Sequence, residues 1–520
     1  MNARRAGILL PLFSMRSSSD WGTGDFSSLA LWARLAGRHG AKIIQILPVH
    51  EMPPEQECPY TALTAFALEP AYIDVSSVED VLQCGATRKI LNSRKTKAEL
   101  RALNKSAAVD YARVKTLKYK ILWEGFRHFQ NSPQGRGGAR GAEFAEFRRR
   151  SGWWLEDYAL FRAAKDVFGW SSWTQWEDGL KNRDEAALSA FRARNSEQIE
   201  FFEYLQWLAD SQLRAARRAC SEAGVLLFGD LPFMVSQESA DVWSHPGVFD
   251  INSEIGAPPD QFSAEGQFWG LPAYRWPEME ADDFKWWRAR IRRAREIYDI
   301  FRLDHVIGFF RTWVAPKDRA QKPHFDIEDE AAQQRRGGRF LTMVREEAAP
   351  GFPVAEDLGV IPPFARETMA RLDIPGYKVL RWERGADGSF LKPESYPPVS
   401  LAASATHDTD TLRQWWQTMP QDEKAKLWDM LSGGKSAAPA AFSAGARKKL
   451  LKRIFAAGSD TAVVLAQDVF GLEGRINIPG TVGPHNWTYR FPKPAEEMES
   501  SAKFRAGLET FSRLLGETGR

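Results

Sequence analysis

Eight short apolar runs recur along the chain, and each one ends in polar or turn-forming residues. Near-continuous apolar strands of this kind are typical of a parallel sheet that is buried on both faces. Amphipathic helical patterns separate several of the runs, for example over residues 26–41 and 209–224, so the fold class is α/β. Eight parallel strands are enough to close a barrel. We therefore predict barrel strands within residues 7–12, 42–49, 224–232, 299–306, 352–360, 377–382, 400–408 and 461–471.

One interval between the predicted strands is much longer than the others. About residues 75–210 separate the second strand from the third, which is far too long for a single crossover helix. We predict that this interval is an inserted, mostly helical subdomain. The whole chain, residues 1–520, is predicted to be one catalytic (β/α)8 TIM barrel with subdomains inserted around the rim of the active site.

Composition and charge exclude several classes of protein. The chain has 520 residues, of which 43% are hydrophobic and 26% charged, as in globular proteins with a large core. Its 70 Lys and Arg nearly balance its 67 Asp and Glu, which gives no reason to expect a nucleic acid or an anionic membrane as partner. No apolar stretch approaches the roughly 18 residues that span a bilayer. The apolar run that begins at Gly7 is short and precedes no signal cleavage site, so we interpret it as the first strand.

Cysteine and tryptophan usage add two further expectations. The three cysteines, Cys58, Cys84 and Cys220, have spacings of neither a disulfide framework nor a zinc cluster, which favours a cytoplasmic location. The 20 tryptophans include neighbouring pairs such as Trp153 and Trp154. We expect most of the tryptophans to pack in the core, and the others are candidate stacking platforms for a flat ligand such as a sugar ring.

Acidic residues follow four of the predicted strands. Asp230, Asp304, Glu356 and the pair His407 and Asp408 all lie at predicted carboxyl ends, where barrel enzymes collect their catalytic groups. Any one of these residues alone could be the N-cap of the next helix. Four of them together favour an active site.

Arg302 and Asp304 suggest which chemistry this site performs. Residues i and i+2 of a strand share one face, so both side chains are predicted to project into the barrel mouth, where the guanidinium stabilises the charged carboxylate. Glu356 has no basic neighbour in sequence and is predicted to stay protonated. One charged and one neutral carboxyl group form the catalytic pair of a retaining glycoside hydrolase, with Asp304 as nucleophile, Glu356 as acid and base, and Asp408 binding sugar hydroxyls. A purely structural ion pair is the alternative.

Seven separated motifs, within a match that runs over about residues 7–492, resemble those of one enzyme family. They are "CPYTALTAFALEPAYID", "FGDLPFMVSQESADVW", "GAPPDQFSAEGQFWG", "FRLDHVIGF", "VAEDLGV", "ATHDTDT" and "NIPGTVGPHNW". Together they resemble the 4-α-glucanotransferases of glycoside hydrolase family 77, in the α-amylase clan. The resemblance implies a (β/α)8 barrel, and a region over the substrate groove at about residues 245–290.

The resemblance also implies roles and partners. Asp304 is the implied nucleophile, Glu356 the acid and base, and Asp408 the transition-state stabiliser. The implied substrate-binding residues are Tyr60, Asp230, Asp260, Gln267, Trp269, Arg302, His305 and His407. The implied donor is an α-1,4-glucan such as maltodextrin, starch or glycogen, and the acceptor is glucose or a maltooligosaccharide. No cofactor and no metal is expected.

The sequence departs from the family pattern at four positions. Gln261 stands where an aromatic residue is expected, and Glu265, Leu271 and Thr409 also replace usual residues. Three of the four lie in the region over the groove, so they bear on the choice of acceptor and the size of the product rather than on the catalytic groups. An apolar lid that excludes water favours transfer, and Trp269 with Phe268 and Phe262 is the candidate.

Three alternatives stay open at this point. The first is an α-amylase-like hydrolase that uses the same three carboxylates. The second is a glucan-binding protein on an inactive barrel, against which the presence of all three carboxylates argues. The third is a metalloenzyme with His407, Asp408 and Asp410 as ligands, although no other histidine has a spacing that would complete the site.

Overall fold

The computed structural model of the protein describes residues 4–259, 266–318 and 320–520. Within these ranges the strands are β1 (Arg5–Leu9), β2 (Ile43–Gln45), β3 (Leu226–Leu231), β4 (Phe249–Ala257), β5 (Gln267–Tyr274), β6 (Ile300–Leu303), β7 (Trp313–Pro316), β8 (His324–Phe325), β9 (Phe352–Ala355), β10 (Gly376–Val379), β11 (Ser400–Ala403) and β12 (Thr461–Leu465).

The α-helices in the same ranges follow in chain order. They are α1 (Phe26–Arg38), α2 (Glu79–Gln83), α3 (Gly85–Asn92), α4 (Arg94–Lys105), α5 (Tyr111–Asn131), α6 (Ala139–Val167), α7 (Asp178–Lys181), α8 (Glu185–Arg194), α9 (Ser196–Glu222), α10 (Ala240–Ser244), α11 (Trp276–Ala281), α12 (Lys285–Ile297), α13 (Glu330–Ala348), α14 (Pro363–Arg371), α15 (Leu412–Thr418), α16 (Gln421–Ser432), α17 (Ala444–Phe455), α18 (Ala466–Phe470) and α19 (Ala502–Thr518).

Eight parallel strands close into a barrel, in the spatial order β1, β12, β11, β10, β9, β6, β3 and β2. Each of the eight apolar runs supplies one of these strands, which confirms the predicted (β/α)8 fold. The strands are short and buried on both faces; β2, β6, β11 and β12 are buried at every residue. This burial is the reason that their sequences are apolar without alternation.

Both helical patterns coincide with observed helices, although α9 begins at Ser196, well before residue 209. Asp25 accepts a hydrogen bond from the backbone N–H of Ser28 and so caps the first turn of α1. At the other predicted helix, α9 ends at Glu222, and Gly224 follows with φ of +68°, a conformation that glycine adopts without strain. The turn at Gly224 leads the chain directly into β3.

Helices α2 to α9 occupy the long interval between β2 and β3. The two longest, α6 and α9, have 29 and 27 residues and pack against each other. Trp154, Trp176 and Trp207 are buried among them, as expected for tryptophans that pack a core. The division of the chain at residues 75 and 210 stays a prediction.

A second sheet, which the sequence analysis did not predict, lies beside the barrel. It is antiparallel, with the strand order β5, β4, β7 and β8. Two register shifts interrupt the pairing of β4 with β5, and Pro272 lies within β5. Because these strands mix polar, apolar and proline residues, they lack the alternation by which strands are recognised from sequence.

Among the four strands predicted to end in candidate catalytic groups, one ends several residues early. The seventh barrel strand, β11, ends at Ala403, whereas we expected it to reach His407. Thr409 accounts for the early end, because its hydroxyl accepts a hydrogen bond from the backbone N–H of Thr406 at 3.0 Å and donates to the Thr406 carbonyl at 3.2 Å. The departure at position 409 therefore closes a turn that holds His407 and Asp408.

Among the helices of the described ranges, none combines the length and the apolar character that crossing a lipid bilayer would require.

Candidate active site

The carboxyl ends of three neighbouring barrel strands bring the predicted catalytic residues together. In the register of the sheet, Asp230 of β3 lies beside Arg302 of β6, which in turn lies beside Val354 of β9. Asp304 and Glu356 follow directly after β6 and β9. Parallel pairing therefore converts three positions that are distant in sequence into one cluster inside the barrel mouth.

Arg302 is the centre of this cluster. Its Nη1 atom donates to the two carboxylate oxygens of Asp230 at 3.0 and 3.1 Å. Its Nη2 atom lies 2.7 Å from Oδ1 of Asp304 and 3.9 Å from Oε2 of Glu356. Arg302 is 7% exposed and Asp230 is fully buried, so these interactions are shielded from water. The predicted pairing of Arg302 with Asp304 on one face of the strand is confirmed.

The two carboxylates that contact the same nitrogen are close to each other. With distances of 2.7 and 3.9 Å to Arg302 Nη2, the contacting oxygens of Asp304 and Glu356 must lie less than about 7 Å apart. Retaining glycosidases have separations of roughly 5–5.5 Å and inverting ones roughly 6.5–9.5 Å. The geometry is thus compatible with a retaining pair and leaves little room for the water of an inverting one.

Asp304 has a hydrogen-bond donor on each oxygen. Arg302 contacts Oδ1, and the backbone N–H of Phe233 donates to Oδ2 at 3.1 Å. These two donors fix the orientation of the carboxylate. The side chain is 23% exposed, so part of it faces the open mouth of the barrel.

Glu356 lies in a drier environment than Asp304. Burial raises the pKa of Glu356 to about 7; the positive charge of Arg302 opposes this shift and the negative charge of Asp304 adds to it. The backbone N–H groups of His305 and Leu358 donate to its two oxygens at 2.9 and 3.2 Å and fix its orientation. A carboxyl group with this pKa is partly protonated at neutral pH and can donate a proton.

The backbone at His305 helps to position Glu356. His305 has φ of +49°, a left-handed conformation that is uncommon for residues other than glycine and is found at functional sites. Burial lowers the pKa of His305 to about 4, so its ring is neutral at pH 7.

Asp408 has a contrasting environment. Although burial by itself raises its pKa, the charge and hydrogen bond of His407 and the hydrogen bond from Asn477 lower the pKa of Asp408 to about 2. His407 Nε2 lies 3.3 Å from Oδ2 of Asp408, and Asn477 Nδ2 donates to Oδ1 at 2.6 Å. Burial lowers the pKa of His407, but the charge of Asp408 outweighs this effect and the net shift is upward. Asp408 is therefore charged at neutral pH.

Tyr60 links the two halves of the site. Its hydroxyl donates to Oδ2 of Asp230 at 2.8 Å, and its ring stacks on the His407 ring with centroids 5.2 Å apart and an angle of 20°. Trp487 packs against both rings, at 5.6 and 5.8 Å. Asp230, Tyr60 and His407 thereby connect the Arg302 cluster with Asp408.

The second sheet supplies one side of the site. Gln267 and Trp269 lie two residues apart on β5, and Trp269 Nε1 donates to Gln267 Oε1 at 3.2 Å. The Trp269 ring meets the His305 ring edge-on, with centroids 5.0 Å apart. Phe268 is 45% exposed. Leu271 packs against the core as a partly buried residue.

Some expectations fall on residues that the structure does not describe. These are Asp260, Gln261, Phe262 and Glu265, which lie outside the described residues. The predicted contribution of Asp260 to substrate binding, and that of Phe262 to a lid, stay predictions.

Two polar contacts at the site were missed by the sequence analysis. Asn477 belongs to one of the seven motifs, yet nothing in sequence pairs it with Asp408, which lies 69 positions away. Gln45 donates to the hydroxyl of Tyr377 at 3.1 Å below the cluster, inside the barrel. A glutamine in an otherwise apolar strand was a signal for the second contact; we know of no signal for the first.

The ligand set proposed for a metalloenzyme has a different explanation. Asp410 forms an ion pair with Arg475 at 3.0 Å, and the same guanidinium donates to the Asp408 carbonyl at 2.6 Å. Across residues 4–259, 266–318 and 320–520, no three His, Cys, Asp or Glu side chains are grouped so that they could hold a metal ion.

Comparisons with known proteins point to one family. A family model described as 4-alpha-glucanotransferase, glycoside hydrolase 77, matches residues 10–496. The 4-alpha-glucanotransferase of Chlamydia caviae is 31% identical over 98% of this chain and 94% of its own length. That of Thermus thermophilus is 34% identical over 78% of this chain and 81% of its own. The chloroplastic and amyloplastic enzyme of Solanum tuberosum is 30% identical over 98% and 87%.

Solved structures agree on the fold. The amylomaltase from Streptococcus agalactiae in complex with acarbose superimposes with a TM-score of 0.84, at 24% identity and with 99% of both chains covered. The amylomaltase from Corynebacterium glutamicum gives a TM-score of 0.82 at 23% identity, covering 98% of this chain and 75% of that one.

Proposed function

Because this chain belongs to the 4-alpha-glucanotransferase family, glycoside hydrolase 77, and is an enzyme that acts on α-1,4-glucans, we propose that it transfers glucan segments by a double displacement at Asp304. A single observation carries the proposal: Asp304 and Glu356 contact the same guanidinium but differ in environment, because Asp304 lies 2.7 Å from it and is partly exposed, whereas Glu356 lies 3.9 Å away and burial raises its pKa to about 7. Divergent environments for two neighbouring carboxyl groups assign the acid and the nucleophile.

In the first step, Asp304 attacks the anomeric carbon of the donor glucan. The bond from that carbon to the glycosidic oxygen breaks, Glu356 gives its proton to the oxygen, and the shortened glucan leaves with a new 4-OH. The product is a covalent glycosyl-enzyme ester. Arg302 donates to the attacking carboxylate, which holds it in position while Phe233 N–H fixes its other oxygen.

In the second step, the now charged Glu356 accepts the proton of an acceptor hydroxyl. The acceptor oxygen attacks the anomeric carbon, and the ester bond to Asp304 breaks. Attack by a 4-OH of glucose or of another glucan results in transfer, whereas attack by water results in hydrolysis. Asp408, charged and held by His407 and Asn477, would bind the sugar hydroxyls next to the anomeric carbon and stabilise the positive charge that develops there.

The choice between transfer and hydrolysis depends on access of water to the ester. We place Trp269 in a lid over the site, since its ring contacts His305, whose backbone N–H donates to Glu356. An aromatic side chain at this position would remove water from the acceptor side. We expect Tyr60, Asp230, Gln267, Arg302, His305 and His407 to bind the sugar rings around the cleaved bond.

The donor is expected to be a maltodextrin, starch or glycogen chain. A cytoplasmic location agrees with three cysteines that are all unpaired in the structure.

The test is a product profile from maltotriose, followed over time by chromatography for the wild type and for Asp304→Asn. The expected result is glucose together with a ladder of longer maltodextrins, absent in the variant. The exposed Asp387→Asn serves as matched control and should behave as wild type. Glucose and maltose without longer chains would replace transfer by hydrolysis, and unchanged activity of Asp304→Asn would refute the assigned nucleophile.

A further inference from the structure

A second concave site lies on the rim of the barrel, outside the catalytic cluster. It is a cavity of about 410 Å³ between α6, α10 and α12, within the range of small-molecule binding pockets. One part of its wall is aromatic and another is polar. The side chains that matter here are those of Phe66, Trp153, Trp286, Asp157, His245 and Lys285.

The aromatic wall exposes a tryptophan that packing does not explain. Trp153 is 54% exposed, whereas its neighbour Trp154 is 6% exposed and packs in the core. Phe66 meets the Trp153 ring edge-on, with centroids 4.9 Å apart and an angle of 79°. This contact fixes the orientation of the indole and leaves much of its surface to the cavity. Large apolar surfaces exposed beside polar groups often mark binding sites.

The polar wall carries donors and acceptors around the aromatic face. Asp157 lies one helical turn after Trp153 on α6 and pairs with Arg183 at 2.7 Å. Across the cavity, Nδ1 of the His245 ring contacts Ser244 Oγ at 2.7 Å and the Asp241 carbonyl at 3.3 Å. The other ring nitrogen, Nε2, has no hydrogen-bond partner among the described residues and is available to a ligand. Lys285, exposed at the start of α12, adds a flexible donor.

Buried hydrogen bonds hold the walls of this cavity in place. Asp241, 3% exposed, accepts hydrogen bonds from Ala65 N at 2.8 Å and from Trp286 Nε1 at 3.0 Å. These bonds tie α10, α12 and the segment that carries Phe66 to one another. The walls are therefore fixed before any ligand binds, which lowers the entropy lost on binding.

The chemistry of the walls favours a neutral, polyhydroxylated ring. Anionic ligands are recognised by clustered arginines, but here Asp157 already neutralises Arg183. A purely apolar ligand would make no hydrogen bonds with His245 Nε2 and Lys285. A glucose unit has an apolar C–H face for the indole and a rim of hydroxyl groups, each able to donate and to accept.

The cavity is also linked to the active site through the chain segment that follows β2. Phe66 lies six residues after Tyr60 on the same segment, and the N–H of Ala240 at the start of α10 donates to the Leu63 carbonyl at 2.8 Å. Tyr60, at the start of that segment, donates a hydrogen bond to Asp230 of the catalytic cluster at 2.8 Å. We propose that the cavity is a second glucan-binding site, which holds a remote part of a long α-glucan donor; this inference rests on the proposed function.

The test compares long and short donors in Trp153→Ala and Lys285→Ala. An exposed leucine outside the cavity, Leu82, which is 56% exposed, provides the matched control Leu82→Ala. We expect the KM for amylose to rise up to about tenfold in Trp153→Ala, the size of a lost aromatic contact, and less in Lys285→Ala. The kcat and KM for maltotriose should stay within about twofold of wild type, because a three-unit donor fills the catalytic site alone.

A binding measurement separates this site from catalysis. In native gels that contain glycogen, Asp304→Asn should be retarded, and the double variant Asp304→Asn, Trp153→Ala should be retarded less. An unchanged KM for amylose together with unchanged retardation would overturn the second site, as would equal losses on amylose and maltotriose, which indicate a structural role for Trp153. If wild type transferred nothing from maltotriose, the proposed function would fail, while weaker retardation of the double variant would still support the second site.

Discussion

Glu356 should set the alkaline limit of the reaction. Its pKa of about 7 results chiefly from burial, and the acid role requires the protonated form. Raising the pH through 7 removes that proton in the free enzyme, so kcat/KM should decrease on the alkaline side. If Glu356 had to be charged in the first step, kcat/KM would instead increase as the pH is raised through 7.

The magnitude follows from the titration of one group. Each pH unit above 7 lowers the protonated fraction about tenfold, so kcat/KM at pH 9 should be about 100-fold below its plateau near pH 6. Glu356→Gln cannot exchange the proton at any pH. We expect it to lose about 10²–10⁴-fold in kcat/KM and to show no alkaline limb centred near pH 7.

The assay is the initial rate of glucose release from maltotriose at low substrate concentration, between pH 5 and pH 9. Maltosyl fluoride provides a second donor, because fluoride leaves without a proton and its release reports the first step alone. Fluoride release in the first turnover should be largely restored in Glu356→Gln, because the base is needed only in the second step, and the exposed Glu367→Gln should match wild type throughout. A flat wild-type profile up to pH 9, or a limb near pH 7 that persists in Glu356→Gln, would refute the reasoning.

Three further substitutions test the groups around this pair. Asn477→Ala removes a 2.6 Å hydrogen bond to charged Asp408, which should raise the pKa of Asp408 above about 2. We expect kcat/KM for maltotriose, measured by steady-state kinetics, to decrease about 10–100-fold. Wild-type kinetics would show that this hydrogen bond does not contribute to catalysis. Tyr60→Phe keeps the stacked ring but removes the 2.8 Å hydrogen bond to buried Asp230, so kcat/KM should decrease about tenfold. An unchanged kcat/KM would show that the Tyr60 hydroxyl does not contribute to catalysis. Gly229→Ala places a Cβ 2.4 Å from the packed ring of Tyr298 and should destabilise the fold by about 1–3 kcal/mol, which a lower Tm would show. An unchanged Tm would show that Tyr298 can move without loss of stability.

The barrel could be predicted because its strands are buried on both faces. All eight apolar runs became strands, since burial in a parallel sheet requires continuous apolar sequence. The second sheet could not be predicted in the same way. Strand β4, for example, is buried over Glu254 and Ile255 but exposed at Asn252, and its pairing is interrupted twice. Irregular strands of this kind are specified by tertiary contacts rather than by a local pattern.

The part of the catalytic cluster that follows from strand geometry could be predicted from the sequence. The shared face of Arg302 and Asp304 follows from the two-residue repeat of a strand, and the ion pair at 2.7 Å confirms it. The contact between Asn477 and Asp408 joins two loops that no repeat relates. Residue spacing carries no information about such pairs.

The state of Glu356 shows where reasoning from sequence neighbours fails. We expected it to stay protonated because no basic residue is adjacent in sequence, and the direction of its pKa shift agrees. Arg302, however, approaches within 3.9 Å from the neighbouring strand and opposes the shift. Burial and the charge of Asp304 outweigh this guanidinium, and neither is visible in the residues next to Glu356.

The charge balance of the barrel mouth explains why the proton resides on Glu356. Arg302 makes close contacts with Asp230 and Asp304, and His407 is paired with Asp408. Arg302 thus has two close carboxylate neighbours before Glu356 is counted, and the charge of Asp304 raises the pKa of Glu356. Glu356 meets this guanidinium only at 3.9 Å, so the effect of Arg302 on its pKa is outweighed by burial together with the charge of Asp304. When Asp304 forms the glycosyl ester it loses its charge, the repulsion on Glu356 falls, and the carboxylate left after proton donation is stabilised as the base for the second step.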